Sequence, residues 1–335
     1  MEMRKLIKFG KNSHVVSLPK GWLEANKLKK GDIIYLDERS GSIVLMASEE
    51  PMEERVGKVN CDGKEFRAVI AEVVGYYKAG FTTIILEGES IPERADQLKD
   101  LFHQLAGMEI VEQSLKRIVA KDLIDIKQVA LPTLLARMDM MVRSMFQDLL
   151  DDPGVPAEVL QSRDKDVNRL QLLLSRVVVQ LFENPALGHV LGVMADEAYY
   201  IDRIAWSLER IGDYLKRMNR ELLMIKPQGR RLLRESMQKV YALYLETMKV
   251  YNRKNAEGVP GLIIRVRETV ISFREKVSLA KSPHELLILE NISNLLRDLR
   301  VVLRMTIELT YKRRVRTPDE REGRAPGEKE HASLP

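Results

Sequence analysis

Cysteine occurs once in 335 residues, at Cys61, which rules out a disulfide framework or a cysteine-rich zinc module and suits a reducing compartment. Histidine is scarce too: five residues, His14, His103, His189, His284 and His331, with one Glu-x-x-His spacing, Glu328 to His331, in a polar tail. That argues against a ferritin-type di-iron enzyme, which needs such motifs on facing helices. No apolar run approaches the roughly 18 residues of a membrane helix, and the opening MEMRKLIKFG lacks the apolar stretch of a signal peptide. The expectation is an unexported, cytoplasmic protein without an integral membrane segment. No Gly-rich phosphate loop or dinucleotide fingerprint appears in the α/β zone described below, and no catalytic constellation is found, so the chain reads as non-enzymatic.

What is present is ordinary globular composition: 54 Lys and Arg against 49 Asp and Glu, a net charge of +5 and 45% hydrophobic residues. At roughly 100–200 residues per domain the chain holds two or three domains. The charge is uneven. Residues 1–30 carry Arg4, Lys5, Lys8, Lys11, Lys20, Lys27, Lys29 and Lys30 against Glu2 and Glu24, a net +6, while the rest is nearly neutral. Over residues 3–47 short apolar runs alternate with turn signals: RKLIKF, GKNS, HVVSL, a Pro19-led helical turn, KKGD, IIYL, DERSGS, IVLMA. This predicts four strands and one short helix. A segment of about fifty residues lies near the lower limit of independent folding, so its strands are expected to pair with a second copy.

From about 56 to 120 a strand at Val56 and Val59 precedes Phe66, Val69, Ile70, Val73, Val74 and Tyr77 at helical spacing, ended by Gly80. A β-branched run from Thr82 to Leu86 follows. Pro92 opens a second helix carrying Ala95, Leu98, Leu101, Phe102 and Leu105, and Gly107 closes it. MEIVEQ and KRIVAK read as a final hairpin, giving a small α/β layer. Beyond 124 six helical segments are predicted near 127–150, 157–182, 195–225, 230–256, 259–280 and 284–312. The third keeps Ile201, Ile204, Leu208, Ile211, Leu215, Met218, Leu222 and Ile225 in 3-4 alternation, and the fifth repeats the device from Val259 to Val277, as bundle helices do. The last segment, TPDEREGRAPGEKEHASLP, reads as a disordered tail.

Offsetting the third helix by 81 residues lays Leu208, Ile211, Leu215, Met218 and Leu222 on Leu289, Ile292, Leu296, Leu299 and Leu303, and Glu209 on Glu290. Two three-helix repeats are therefore expected, although a shared heptad register would by itself align the apolar positions. At this point LERIGDYLKRMNREL, Leu208 to Leu222, resembles the signature helix of the PhoU family of phosphate-uptake regulators, with LENISNLLRDLRVVL from Leu289 as a degenerate second copy. VVSLPKGWLEANKLKKGDIIYL independently resembles the AbrB/SpoVT/MazE DNA-binding domain. The whole chain is similar to archaeal PhoU-like regulators that carry such a head.

The resemblance implies a swapped-hairpin β-barrel head, all-β and dimeric, over residues 1–50. It is followed by the α/β connector over 51–123 and an all-α, PhoU-like body over 124–315 in repeats of about 124–226 and 227–315, with the tail at 316–335. It also implies a body that responds to phosphate status by contacting a phosphate transporter ATPase or its sensor kinase, and acidic motifs that bind a divalent or iron-type metal.

Glu209 and Asp213 share a helical face, extended by Asp202 seven residues earlier. Hard cations want several carboxylate oxygens, so this stripe could be a metal site. Solvated surface is the other reading. Chance puts about seven i,i+4 acid pairs in a chain of this composition, and Arg217 stands where it would pair with Asp213. In the second copy Glu290 is followed by Asn294 where the family has an acid. Asp298 could supply the missing carboxylate or pair with Arg297 or Arg300. Gly212 costs about 1 kcal/mol mid-helix, most simply justified by close approach of another helix.

The basic head attracts phosphate backbones, and dimer symmetry would double its charge. Arg4, Lys5, Lys8, Lys11, Asn12 and Lys20 are the DNA contacts expected, while Lys27, Lys29 and Lys30 suit a helix end. The run Lys312, Arg313, Arg314 and Arg316 has the same dipole explanation, with a membrane or nucleic-acid contact as the alternative. Two functional readings remain: a dimeric DNA-binding phosphate regulator, or a transporter or kinase adaptor whose head serves only for dimerisation.

Overall fold

A computed structural model of the protein describes residues 2–11, 13–39, 42–47, 54–184, 187–277, 280 and 282–316. Most of the described chain is helical, and its contacts divide it into two compact units, Met1–Glu53 and Glu54–Pro335.

In the first unit β1 (Ile7–Phe9) and β2 (Ser13–Val15) form an antiparallel hairpin, Ile7 opposite Val15 and Lys8 opposite His14. Gly10 supplies the left-handed step of its turn, at φ 70°. After Pro19 comes α1 (Lys20–Ala25), and Lys27 leaves the helix in the left-handed region at φ 54°. β3 (Tyr35–Arg39) and β4 (Ser42–Met46) pair antiparallel, Leu36 opposite Leu45. The four strands and short helix read from the sequence are thus present, as two separate two-stranded sheets, with no closed barrel among the described residues. Two-stranded hairpins this short have too little area to enclose an interior. None of the described residues of this unit is buried, and Leu6, Ile7, Phe9, Ile33, Leu36 and Ile43 are all more than half exposed.

The second unit opens with an α/β layer. α2 (Phe66–Lys78) links β5 (Val56–Asn60) to the parallel β6 (Thr83–Glu87). A 3-10 turn at Pro92–Arg94 leads into α3 (Ala95–His103), and β7 (Met108–Gln113) with β8 (Arg117–Asp122) completes a sheet of order β5-β6-β8-β7. Gly80 and Gly107, at φ 82° and 85°, turn the chain after the two helices. Val69, Val73 and Tyr77 of α2 and Leu98, Leu101 and Phe102 of α3 pack with Val59, Ile84, Leu86, Ile118 and Ala120 of the sheet in one core. Gly57 lets Tyr76 lie close to β5, since a Cβ there would fall 2.7 Å from the ring.

Seven helices follow: α4 (Leu131–Asp151), α5 (Ala157–Glu183), the five-residue α6 (Leu187–Leu191), α7 (Ala195–Leu223), α8 (Pro227–Asn252), α9 (Val259–Val277) and α10 (Pro283–Arg316). The six long ones correspond to the six segments expected. α4 starts later than its apolar periodicity predicts because a 3-10 turn, Ile126–Gln128, precedes it, with Asp125 accepting from the Lys127 N–H. α7 and α10 form the central pair; α5 and α4 flank α7, and α9 and α8 flank α10. Leu208, Ile211, Leu215, Met218 and Leu222 are buried, and so are all five of their counterparts at the 81-residue offset. A buried acid pins α4 to α8: Asp139 accepts two hydrogen bonds from Arg143, at 2.9 and 2.7 Å, and one from the Tyr244 hydroxyl at 2.7 Å.

α5 belongs to both layers. Its Leu172 joins the sheet core, and Gln180 lies against Gly80. Arg176, 1% exposed, donates to Asp122 Oδ2 at 2.6 Å and to the Tyr77 carbonyl at 2.9 Å. Its guanidinium stacks 4.7 Å from the Tyr77 ring centroid. The charge is thereby paired and both terminal nitrogens are hydrogen-bonded out of water, while the buried Nε has no hydrogen-bond partner among the described residues.

Candidate functional site

The first candidate is the β1–β2 hairpin. Side chains alternate along a strand, so Lys8 and His14 share one face while Ile7, Phe9 and Val15 share the other. Lys11 lies in the turn, Arg4 and Lys5 lie just upstream, and all four basic residues are exposed. Arg4 is partly engaged, ion-paired with Glu2 and 3.4 Å from Ser17 Oγ. Lys20 stands apart on α1, with Glu24 at 3.4 Å. Asn12 lies outside the described residues. The structure thus places Lys8 and Lys11 on one hairpin, with Arg4 and Lys5 in the segment leading into it, and leaves Lys20 on another element. Lys29 belongs to a closed turn in which its N–H donates to Asp32 Oδ2 at 2.7 Å.

The second candidate is the acidic stripe of α7, and it divides in two. Asp202 lies about 10 Å along the helix axis from Glu209 and belongs to a buried polar chain, in which Gln171 Nε2 donates to Ser175 Oγ at 2.7 Å and Ser175 donates to Asp202 at 2.5 Å. Burial raises the Asp202 carboxyl above its ordinary range. Glu209 and Asp213 stay together and gain Asp164 from α5, which spacing could not reveal because it lies on a different helix. Lys216 Nζ bridges Asp164 Oδ2 at 2.6 Å and Asp213 Oδ1 at 2.7 Å, and Arg217 pairs with the other Asp213 oxygen. Glu209 has no ion-pair partner among the described residues. Burial first, then repulsion from Asp213 and Asp164, pushes its carboxyl up to about 7.

The lysine ammonium supplies the positive charge that a metal would bring, so a cation could enter only by displacing it. Among the described residues no group of three or more His, Cys, Asp or Glu side chains is arranged to hold a metal ion. In the second copy Glu290 is exposed and Asn294 Oδ1 accepts from Arg297 at 2.9 Å. Asp298 is buried; its ion-pair partner is Arg210 of α7, at 3.3 Å, and not Arg297 or Arg300. Gly212 is not needed for close approach: a Cβ would meet Met145 Sδ at 3.6 Å, ordinary contact.

The basic end of α10 has a local explanation. Lys312 lies 3.3 Å from Asp196 and Arg313 lies 3.2 Å from Glu197, both acids in the first turn of α7. Among the described residues no helix is long and apolar enough to cross a membrane. The tail read at 316–335 lies, beyond Arg316, outside the described residues, and with it Glu328 and His331. No protein-family model, no curated protein and no solved structure matches the chain.

Proposed function

We propose that the protein is a cytoplasmic, non-enzymatic regulator of phosphate uptake or homeostasis. It binds DNA through a paired basic head and relays phosphate status through a PhoU-like body. The observation that carries this reading is the two-faced hairpin: Ile7, Phe9 and Val15 on one side, Lys8 and His14 on the other, in a unit with no buried residue among those described. Two copies that close their apolar faces into a swapped-hairpin barrel would bury what one copy exposes and double the basic surface facing a phosphate backbone.

The body reads as two three-helix repeats, supported by the matching flanks of α7 and α10 and by burial of all ten apolar residues aligned at the 81-residue offset. Its partner in this reading is a phosphate transporter ATPase or a sensor kinase. The divalent or iron-type cation of this reading would have to displace Lys216 from Asp213 and Asp164 to reach the Glu209 and Asp213 carboxylates.

The test is binding of the full chain to DNA upstream of its own and neighbouring phosphate-uptake genes, across a salt series, beside an Arg4→Ala/Lys5→Ala/Lys8→Ala variant. Specific, salt-sensitive binding that the variant loses supports the reading. Binding no tighter than to random DNA, unchanged in the variant, supports the alternative: an adaptor of the transporter or kinase. The same exposed apolar face favours that alternative, because dimerisation alone would cover it.

A further inference from the structure

Between α8, α9 and the turn that joins them lies an open cleft of about 650 Å³, lined by Glu246, Lys249 and Arg253 on one wall and Gly261, Leu262 and Arg265 on the other. The walls are tied at one end by Arg265, whose two guanidinium nitrogens reach the two Glu246 oxygens at 2.5 and 3.0 Å. That pair is neutral, so the lining keeps the charges of Lys249, in the last turn of α8, and Arg253, the residue just beyond its end. Opposite them the α9 wall carries glycine, and a Cβ at Gly261 would meet nothing within 4 Å. The lining is therefore cationic along one wall and open at Gly261, and its accessible surface is more apolar than polar, with Val250 and Leu262 contributing side chains.

A helix-end dipole accounts for Lys249 and Arg253 singly. It does not account for the space kept free across from them, nor for a third cation held in place by a single acid. We propose that this cleft binds a small polyanion of condensed-phosphate chemistry, such as pyrophosphate, tripolyphosphate or the phosphate chain of a nucleotide. Lys249 and Arg253 are the primary contacts, and Arg265 is recruited as the ligand competes with Glu246. Guanidinium groups suit this chemistry because their planar donors match paired phosphate oxygens. The proposal does not rest on the DNA-binding reading.

Isothermal titration of the full chain at constant ionic strength, with pyrophosphate, tripolyphosphate, ATP and sulfate, tests it. Saturable one-to-one binding is expected for the polyphosphates, with sulfate at least tenfold weaker; ATP binding as tightly as tripolyphosphate would identify the phosphate chain as the recognised part, and weaker ATP binding a free inorganic chain. Lys249→Ala/Arg253→Ala should weaken binding at least tenfold. Gly261→Phe should block it by filling the cleft. Glu246→Gln, which frees Arg265, should tighten it several-fold, a gain that damage to the fold cannot mimic. The Arg4→Ala/Lys5→Ala/Lys8→Ala variant should bind as the native chain does. Loss of binding in that head variant, or indifference to the Lys249, Arg253 and Gly261 substitutions, would place the anion elsewhere and overturn the assignment.

Discussion

The two units solve the problem of apolar surface in opposite ways. Residues 54–316 sequester theirs in a sheet core and a bundle core that share α5, whereas none of the described residues of Met1–Glu53 is buried. The hydrophobic effect stabilises only what leaves water. In the paired-head reading proposed above, a small unit that exposes Ile7, Phe9, Leu36 and Ile43 gains its stability by association and so depends on concentration, while the larger unit has its own intramolecular cores.

The sharpest way to break the self-sufficient unit is Arg176→Met, which strands Asp122 as a buried, unpaired carboxylate. The expected loss is about 3–5 kcal/mol, read as a fall in the urea midpoint of the helical signal. Arg176→Met/Asp122→Leu should recover most of it. Next in size is Ile7→Asp/Phe9→Asp in the smaller unit, which tests the proposed pairing. Sedimentation velocity should show at least a tenfold weaker self-association, with the midpoint for the helical body unmoved. Association that survives this change would mean that another surface joins the copies.

A smaller effect comes from Glu209. Its folded-state pKa, about 7, lies above the ordinary 4.5, so between those values the native state holds a proton that the unfolded chain has lost. Stability therefore falls as pH rises through that window and is lowest above it. Glu209→Gln should stabilise the body by about 1 kcal/mol at pH 8, allowing for solvent screening, and by nothing at pH 4. The smallest change is Gly212→Ala, with an expected gain of about 0.5–1 kcal/mol, because the site has room for a methyl group. A loss there would show that the helix backbone needs the glycine after all.

Local periodicity made the elements legible. The 3-4 spacing of Val69, Val73 and Tyr77, the β-branched run ending at Leu86, and the glycines at 80 and 107 delimit the α/β layer much as the structure has it. Long apolar alternation did the same for α7 and α9. What escaped is non-local. Asp164 completes the acid cluster from 45 residues before Glu209, and no spacing rule spans two helices. Asp298 finds Arg210 on α7 instead of its own neighbours. Arg176 did leave a signal, a lone guanidinium inside LLLSRVVV, where a charge among apolar residues calls for a buried partner. The two-faced hairpin was half visible: its lysines stood out, but the exposure of its apolar face emerges only with three-dimensional packing.

The double membership of α5 carries a kinetic consequence. Residues 54–122 precede α5 in the chain, yet Leu172 lies in their core and Arg176 satisfies Asp122 and the Tyr77 carbonyl. During synthesis the α/β layer emerges with that gap open and closes it only after α5 has followed. Long-range closure of this kind slows folding and leaves apolar surface available for wrong contacts in the interval. The α/β layer is thus delivered first, yet it cannot complete itself until part of the helical layer has followed it.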